Sequence, residues 1–196
     1  MPRKGSVPSS KSANPTGKTI DRSTALSVQS HPAGVIGDHD GYDENYIRAI
    51  LRQTKVIAMV GASANWNRPS YFAMKYLQAK GFRVIPVNPR ELGKEILGEK
   101  VYGSLIEIPE AVDMVDCFRA AEAIPEIARE AVQKGAKVLW MQLGIRSDEG
   151  AAIAEAAGLK VVMNRCPKIE YGRLSGEIGW LGINTGVISS KRYRRV

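Results

Sequence analysis

The segment Gly61-Ala62-Ser63-Ala64-Asn65-Trp66-Asn67-Arg68-Pro69-Ser70 gathers the groups that hold phosphate. Gly61 permits a sharp turn and a close approach of backbone to ligand. Ser63 offers a hydroxyl, and Arg68 a guanidinium that can pair with phosphate oxygens. Ser70 suits both a helix cap and a phosphate donor, and the free N–H groups of a helix start favour an anion. The bland alternative is a tight strand–helix turn with a cap. A strand before the loop and a helix after it favour phosphate.

A second chemical cluster is Val87-Asn88-Pro89-Arg90, with Lys94 close behind. The first loop lacks G-x-G-x-x-G, because positions 63 and 66 are Ser and Trp. The second lacks the acid that a dinucleotide fold preferring NAD places on the ribose hydroxyls. Basic residues there suit a ribose phosphate instead, the 2′-phosphate of NADP or the 3′-phosphate of coenzyme A. A third candidate is Cys166, between Arg165 and Lys168, cations expected to lower its pKa. Cys117 lies in an apolar run and reads as core. The two cysteines show neither metal nor redox spacing, and a reducing cytoplasmic compartment is the expected one. Glu170 and Glu177 fall near the same edge without distinctive spacing, while Asp113 and Asp116 read as solvated or capping groups. No constellation reads as a catalytic or metal site, and catalysis is not expected.

The elements that would position these groups alternate regularly. Asp43 can cap a helix with Tyr46, Ile47, Ile50 and Leu51 on one face. Strands are expected over 55–60, 83–87, 114–118, 137–141 and 160–163. Helices are expected over 70–80, with Phe72, Ala73, Tyr76 and Leu77 at helical spacing, then over 124–134 and 147–157, closed by Gly81, Gly135 and Gly158. Short, continuous, apolar strands separated by helices imply a parallel sheet covered on both faces. Right-handed crossovers then predict a single α/β domain with a doubly wound, five-stranded, Rossmann-like parallel sheet. Ligands bind such a sheet at the carboxyl ends of its strands.

Residues 1–42 are rich in Ser, Pro, Gly, Asn and Thr and are expected to be a disordered tail. No apolar run approaches a membrane span, and no secretory signal is evident. Residues 173–196 form a Gly-rich extension with Trp180, Leu181 and Ile183, suited to packing on the domain or on a second subunit, so a homodimer stays open. The net charge of +8 sits mainly in the two ends, including Lys191, Arg192, Arg194 and Arg195. Such tails can recruit a partner or nucleic acid by screened attraction, but solvated ends are the simpler reading, and nucleic acid is not expected.

Taken in order, VGASANWNRPSY (60–71), GFRVIPVNP (81–89), VYGSL (101–105), VDMVDCFR (112–119), VLWMQLGI (138–145) and VVMNRC (161–166) resemble the bacterial coenzyme A-binding domain family. That family is similar in fold to the CoA-binding domain of the succinyl-CoA synthetase alpha subunit, and the resemblance covers residues 43–172. It implies that Gly61, Ala62, Ser63, Arg68 and Ser70 surround a pyrophosphate, and that Asn88, Pro89 and Arg90 border the adenosine and its 3′-phosphate. It further implies that Phe118 and Arg119 flank the nucleotide or the pantetheine arm, and that Gln142, Gly144 and Ile145 line the path of that arm. Core packing is the competing role for Phe118 and Ile145. The synthetase works through a phosphorylated histidine, whereas the histidines here, His31 and His39, both fall in the expected tail. The resulting expectation is a non-catalytic or regulatory protein that binds CoA or a short acyl-CoA, with Cys166 able to form a mixed disulfide with the CoA thiol. The alternatives are an NADP-dependent oxidoreductase and a scaffold acting through its basic ends.

Overall fold

The computed structural model describes residues 39–176. Along the chain run α1 (Glu44–Gln53), β1 (Val56–Val60), α2 (Pro69–Ala79), β2 (Arg83–Val87), the short strands β3 (Glu95–Ile96) and β4 (Glu99–Lys100), and β5 (Met114–Cys117). Then follow α3 (Ile124–Lys134), β6 (Val138–Met141), α4 (Asp148–Ala156), β7 (Lys160–Val162) and α5 (Pro167–Leu174). Five strands pair in parallel in the order β2-β1-β5-β6-β7. This is the doubly wound α/β sheet expected from the sequence, and its winding reverses between β1 and β5.

The strands of the five-stranded sheet are largely apolar, Arg83, Asp116 and Lys160 apart, because both faces of the sheet are covered. Ala58 and Met59 point to opposite sides of β1, and neither is exposed. On one face Ile47, Ile50 and Leu51 of α1 and Ala73, Met74 and Leu77 of α2 pack over Ile57, Met59, Met114 and Trp140. On the other, Ile124, Ala128 and Ala131 of α3 and Ala151 and Ala154 of α4 pack over Ala58, Val115, Leu139 and Val161. Burying one such large aliphatic side chain is worth about 1.5–3 kcal/mol. Trp140 is fully buried, and its indole N–H donates to the Arg165 carbonyl at 2.8 Å. That bond fixes the loop after β7 against the sheet.

Helix ends follow local chemistry. The Asp43 carboxylate accepts from the Asn45 amide at 2.8 Å, and the Ser147 hydroxyl accepts from the Gly150 amide at 3.2 Å. Helix α2 differs from expectation. Arg68 occupies its N-cap position and Pro69 begins it, so Ser70 is a buried residue of the first turn and not the cap. Proline has no N–H to lose there and its φ is already helical. Of Phe72, Ala73, Tyr76 and Leu77, expected at helical spacing, Ala73 and Leu77 are buried and Tyr76 packs half-buried against the core, while Phe72 is exposed.

Two parts go beyond the expected elements. Helix α5 carries Ile169 and Tyr171 but contains Gly172, which blurs its apolar periodicity. The β3–β4 hairpin turns at Leu97 and Gly98, both at positive φ. Residues 39–42, expected in the tail, pack on the domain. Tyr42 stacks on Tyr46 and its hydroxyl accepts from the Met163 amide at 2.7 Å. His39 bonds the Tyr42 hydroxyl at 2.9 Å and lies 3.3 Å from the Glu155 carboxylate, so it belongs to the ordered domain and not to a tail. Aromatic area on Tyr42 supplies the burial that the preceding sequence lacks. The expectations for residues 1–38 and 177–196 lie outside the described residues, among them His31, Glu177, Trp180, Leu181, Ile183 and the basic residues near the end.

Candidate functional site

The carboxyl ends of β1, β2, β5 and β6 open onto a cleft of about 970 Å³ at the reversal of winding. Its frame is backbone. The Gly61 amide donates to the Val87 carbonyl and the Phe118 amide to the Val60 carbonyl, both at 2.8 Å, so the ends of β2, β1 and β5 are tied together. Gly61 sits at φ +88°, and a Cβ there would lie 2.5 Å from the Phe118 carbonyl oxygen. No other residue fits without moving the neighbouring strand end.

The loop after β1 is shaped by its own short polar side chains. The Ser63 hydroxyl accepts from the Asn65 amide at 3.2 Å, and the Asn65 side-chain oxygen accepts from the Asn67 amide at 3.0 Å. It ends at the start of α2, where no side chain caps the helix. Pro69 has no N–H, and the Tyr71 and Phe72 amides donate to the Arg68 carbonyl at 3.0 and 3.4 Å, so the Ser70 amide and the positive end of the helix dipole are left to the cleft. Asn88 ties this loop to the next. Its side-chain N–H donates to the Ala62 carbonyl at 2.7 Å, and its side-chain oxygen accepts from the Arg90 amide at 3.0 Å.

Of the residues singled out in the sequence, Gly61, Ser63, Arg68 and Ser70 line the cleft together with Asn88, Arg90, Phe118 and Arg119. Gln142, Ile145 and Cys166 complete the set. Ala62, Pro89 and Gly144 do not line it. Ala62 is buried beneath the loop, Pro89 is exposed at the start of a 3-10 turn, and the Gly144 amide is held by the Asn164 side-chain oxygen at 2.8 Å. Sequence reasoning missed Phe72, Leu143, Lys168 and Ile169. Phe72 was expected only as one of the apolar residues at helical spacing in α2, and Lys168 and Ile169 belong to the unforeseen α5.

The charge in the cleft is one-sided. Arg68, Arg90, Arg119 and Lys168 line it, and none has a carboxylate partner among the described residues. The acid at its rim, Glu91, is paired with Lys94 at 2.7 Å. Exposed guanidiniums clustered without counter-charges beside an uncapped helix make an anion site. Among the described residues no cluster of His, Cys, Asp and Glu could hold a metal ion.

Two titratable groups lie under the cleft. Asp116 is fully buried on β5, where the sequence suggested a solvated or capping acid. Burial raises its pKa to about 7, and the Gln142 side-chain amide opposes this by donating to both carboxylate oxygens at 2.9 and 3.1 Å. Asp113 does act as a cap, at the start of β5, accepting from the Lys55 and Val56 amides at 2.9 and 3.1 Å. Cys166 departs from expectation too: burial pushes its thiol up, outweighing the Ile169 and Lys168 amides. Of its two flanking cations only Lys168 acts on it, because the Arg165 guanidinium lies over the Tyr42 ring and 3.8 Å from Glu170. Cys117 is fully buried, as expected. Glu170 is bound to Arg173 at 3.0 Å, outside the cleft.

The profile of a family described as CoA binding domain matches residues 55–172. The uncharacterized protein YneT of Bacillus subtilis is 37% identical over 125 residues, 64% of this chain and 91% of that protein. Acetate–CoA ligase (ADP-forming) II of Archaeoglobus fulgidus is 33% identical over 126 residues, which make up 62% of this chain and 18% of the ligase. Among solved structures, a hypothetical protein from Pyrococcus horikoshii superposes with a TM-score of 0.67 at 42% identity, covering 70% of this chain and 95% of its own. A protein from Thermus thermophilus gives 0.65 at 38% identity, covering 68% and 99%. The chain thus spans nearly all of the small relatives and less than a fifth of the ligase.

Proposed function

This chain belongs to the CoA-binding domain family, and on that premise we propose that it binds coenzyme A or a short acyl-CoA without catalysing a reaction on it. The observation that carries the reading is the set of arginines without carboxylate partners among the described residues, Arg68, Arg90 and Arg119, around the uncapped start of α2. CoA presents a pyrophosphate and a 3′-phosphate, joined by an adenosine and followed by a neutral arm. Arg68, Ser63 and Ser70, with the Ser70 amide at the start of α2, take the pyrophosphate in the space that Gly61 leaves open. Arg90, beyond Asn88, takes the 3′-phosphate. Phe118, Gln142 and Ile145 line the path of the arm toward Cys166, with Arg119 beside them. Ala62, Pro89 and Gly144 serve as supports of these walls.

Binding without chemistry is supported by what the cleft offers. Its nucleophile, Cys166, is held neutral by burial and has no paired base. His39 is engaged with Tyr42 and Glu155 and does not line the cleft. The acetate–CoA ligases' activity belongs to proteins about five times longer than the matched segment. Residues 43–172, with His39 and Tyr42 packed on them and α5 continuing to Leu174, form the binding unit in this reading, and the ends beyond serve a partner or a second copy. The free thiols of Cys117 and Cys166 suit a reducing cytoplasm, and no helix among the described residues is long and apolar enough to cross a membrane.

Burial disfavours ionisation of the Cys166 thiol, but in the fraction that loses its proton Cys166 can also act as a redox-sensitive group. It attacks one sulfur of CoA disulfide, a mixed disulfide forms, and one CoA leaves as its thiolate. Mass spectrometry of the non-reduced protein after incubation with CoA disulfide reads this directly, and an unmodified thiol removes it from the proposal. The main test is calorimetric titration of the reduced protein with CoA, acetyl-CoA, dephospho-CoA and NADPH. CoA and acetyl-CoA should bind, and dephospho-CoA should bind more weakly. Heat with NADPH and none with either CoA would overturn the reading.

A further inference from the structure

We propose that Asp116 is a proton-controlled positioning residue that sets which face of the Gln142 amide meets the ligand. Ionised, Asp116 holds the amide nitrogen and turns the oxygen, Oε1, toward the cleft as an acceptor. Protonated, it donates to Oε1 and leaves an N–H facing the cleft. The ligand arm of this inference rests on the CoA-binding reading; the protein arm does not.

Among the described residues Asp116 has one polar side-chain partner, Gln142. The register of the sheet puts Met59 of β1 and Trp140 of β6 on either side of it, both buried and offering it no charge. Gln142 Nε2 meets both carboxylate oxygens. An ionised carboxylate can only accept, so the amide must be oriented nitrogen inward. Oε1 then has no partner among the described residues, yet no sealed side-chain nitrogen or oxygen among them lacks one. Oε1 is therefore open, and Gln142 is a wall of the cleft.

Adding a proton changes the demand. The acid now carries an O–H that needs an acceptor in a buried site, and Oε1 is the acceptor on its single polar neighbour. Acid and amide then form a cyclic pair, O–H to Oε1 and Nε2–H to the carbonyl oxygen. The titratable groups that feel Asp116 are the Cys117 thiol, next to it on β5 but on the other face of the sheet, and the Cys166 thiol from the start of α5. Both are kept neutral by burial, so neither sets a second negative charge beside the carboxylate. Burial places the Asp116 transition at about pH 7, where both arrangements are populated.

The pantetheine arm of CoA carries two secondary amides. With Asp116 ionised, Gln142 accepts from an arm N–H; with Asp116 protonated that bond is lost. Affinity for CoA should fall about twofold to tenfold as pH drops through 7, the range that one neutral hydrogen bond covers. Asp116→Asn imitates the protonated acid at every pH, because its amide N–H donates to Oε1.

The test compares the wild-type protein and Asp116→Asn. Calorimetric titration with CoA from pH 5.5 to 8.5 should show tighter wild-type binding at pH 8, converging on the variant by pH 6. The titrating phosphate of CoA affects both proteins equally, so the ratio of their affinities is the readout. In the ligand-free protein, NMR should show the Asp116 carboxyl carbon and the Gln142 side-chain amide titrating together near pH 7. An Asp116 that stays ionised to pH 5, a Gln142 amide that ignores its protonation, or equal pH profiles for the two proteins would overturn the proposal. If neither protein binds CoA, the functional reading falls, and the NMR titration still decides the role of Asp116.

Discussion

Replacing Gly61 with alanine strikes the closest approach in the cleft, and Gly81 supplies its control. Both glycines sit near φ +90°, where an L side chain costs about 1–2 kcal/mol. Around Gly81 nothing lies within 4 Å of an added Cβ, so Gly81→Ala reports strain alone. At Gly61 the Cβ would meet the Phe118 carbonyl oxygen at 2.5 Å and Arg119 Cδ at 3.0 Å. Relief requires the end of β5 to move by about 1 Å, an overpacking cost of about 1–3 kcal/mol on top of the strain. Gly61→Ala should therefore lose about 2–5 kcal/mol, a drop in Tm of roughly 5–15 °C for a domain of this size. Since β5 carries Phe118 and Arg119 into the cleft, CoA affinity should fall together with stability. Thermal melts of both variants followed by circular dichroism, with calorimetry on the folded proteins, measure both effects. A Gly61→Ala protein that melts like Gly81→Ala and binds CoA like the wild type would refute the close-approach argument.

Arg90→Ala should weaken CoA about tenfold or more, the scale of a charge-assisted hydrogen bond, and should affect dephospho-CoA much less. Its melting temperature should not change, because Arg90 has no ion-pair partner among the described residues; equal losses for the two ligands would move the 3′-phosphate elsewhere. Asp113→Ala strands the Lys55 and Val56 amides and should cost about 1–3 kcal/mol in urea unfolding. Burial opposes ionisation of Asp113, but the Lys137 ammonium and those two amides outweigh it and hold its pKa below the ordinary carboxylate value. The stability it adds is thus complete above the unfolded-state pKa and is lost as pH falls through the lower folded value; a wild-type minus variant difference that is flat in acid would contradict this. Alkylation of Cys166 should still accelerate with pH at pH 9, since burial raises its thiol, and a plateau below pH 8 would show an activated thiolate instead.

The fold was legible because its information is local. Apolar runs ending in Gly or Asn-Pro, and helices opened by Asp43 and Ser147 or closed by Gly135, carry their boundaries in neighbouring residues. Helix α5 was not, because Gly172 and the alternation of Lys168, Glu170 and Arg173 with apolar residues leave no clear stripe. Phe72 misled for a related reason. Spacing identifies the apolar residues of α2, but only packing decides which of them faces the sheet and which the cleft.

The sequence by itself determined the order and type of the strands and helices, the glycine at the first turn, and the arginines of the loops, because periodicity and turn chemistry act between residues close in the chain. Tertiary structure alone decided the rest. It brought Gln142 to Asp116 across 26 positions, buried Cys166 so that its neighbouring cations could not activate it, and drew Tyr42 and His39 into the domain. Burial and partnership are properties of the packed sheet. A carboxylate in a strand reads the same in sequence whether it meets water or, as Asp116 does, a single amide in a closed interior.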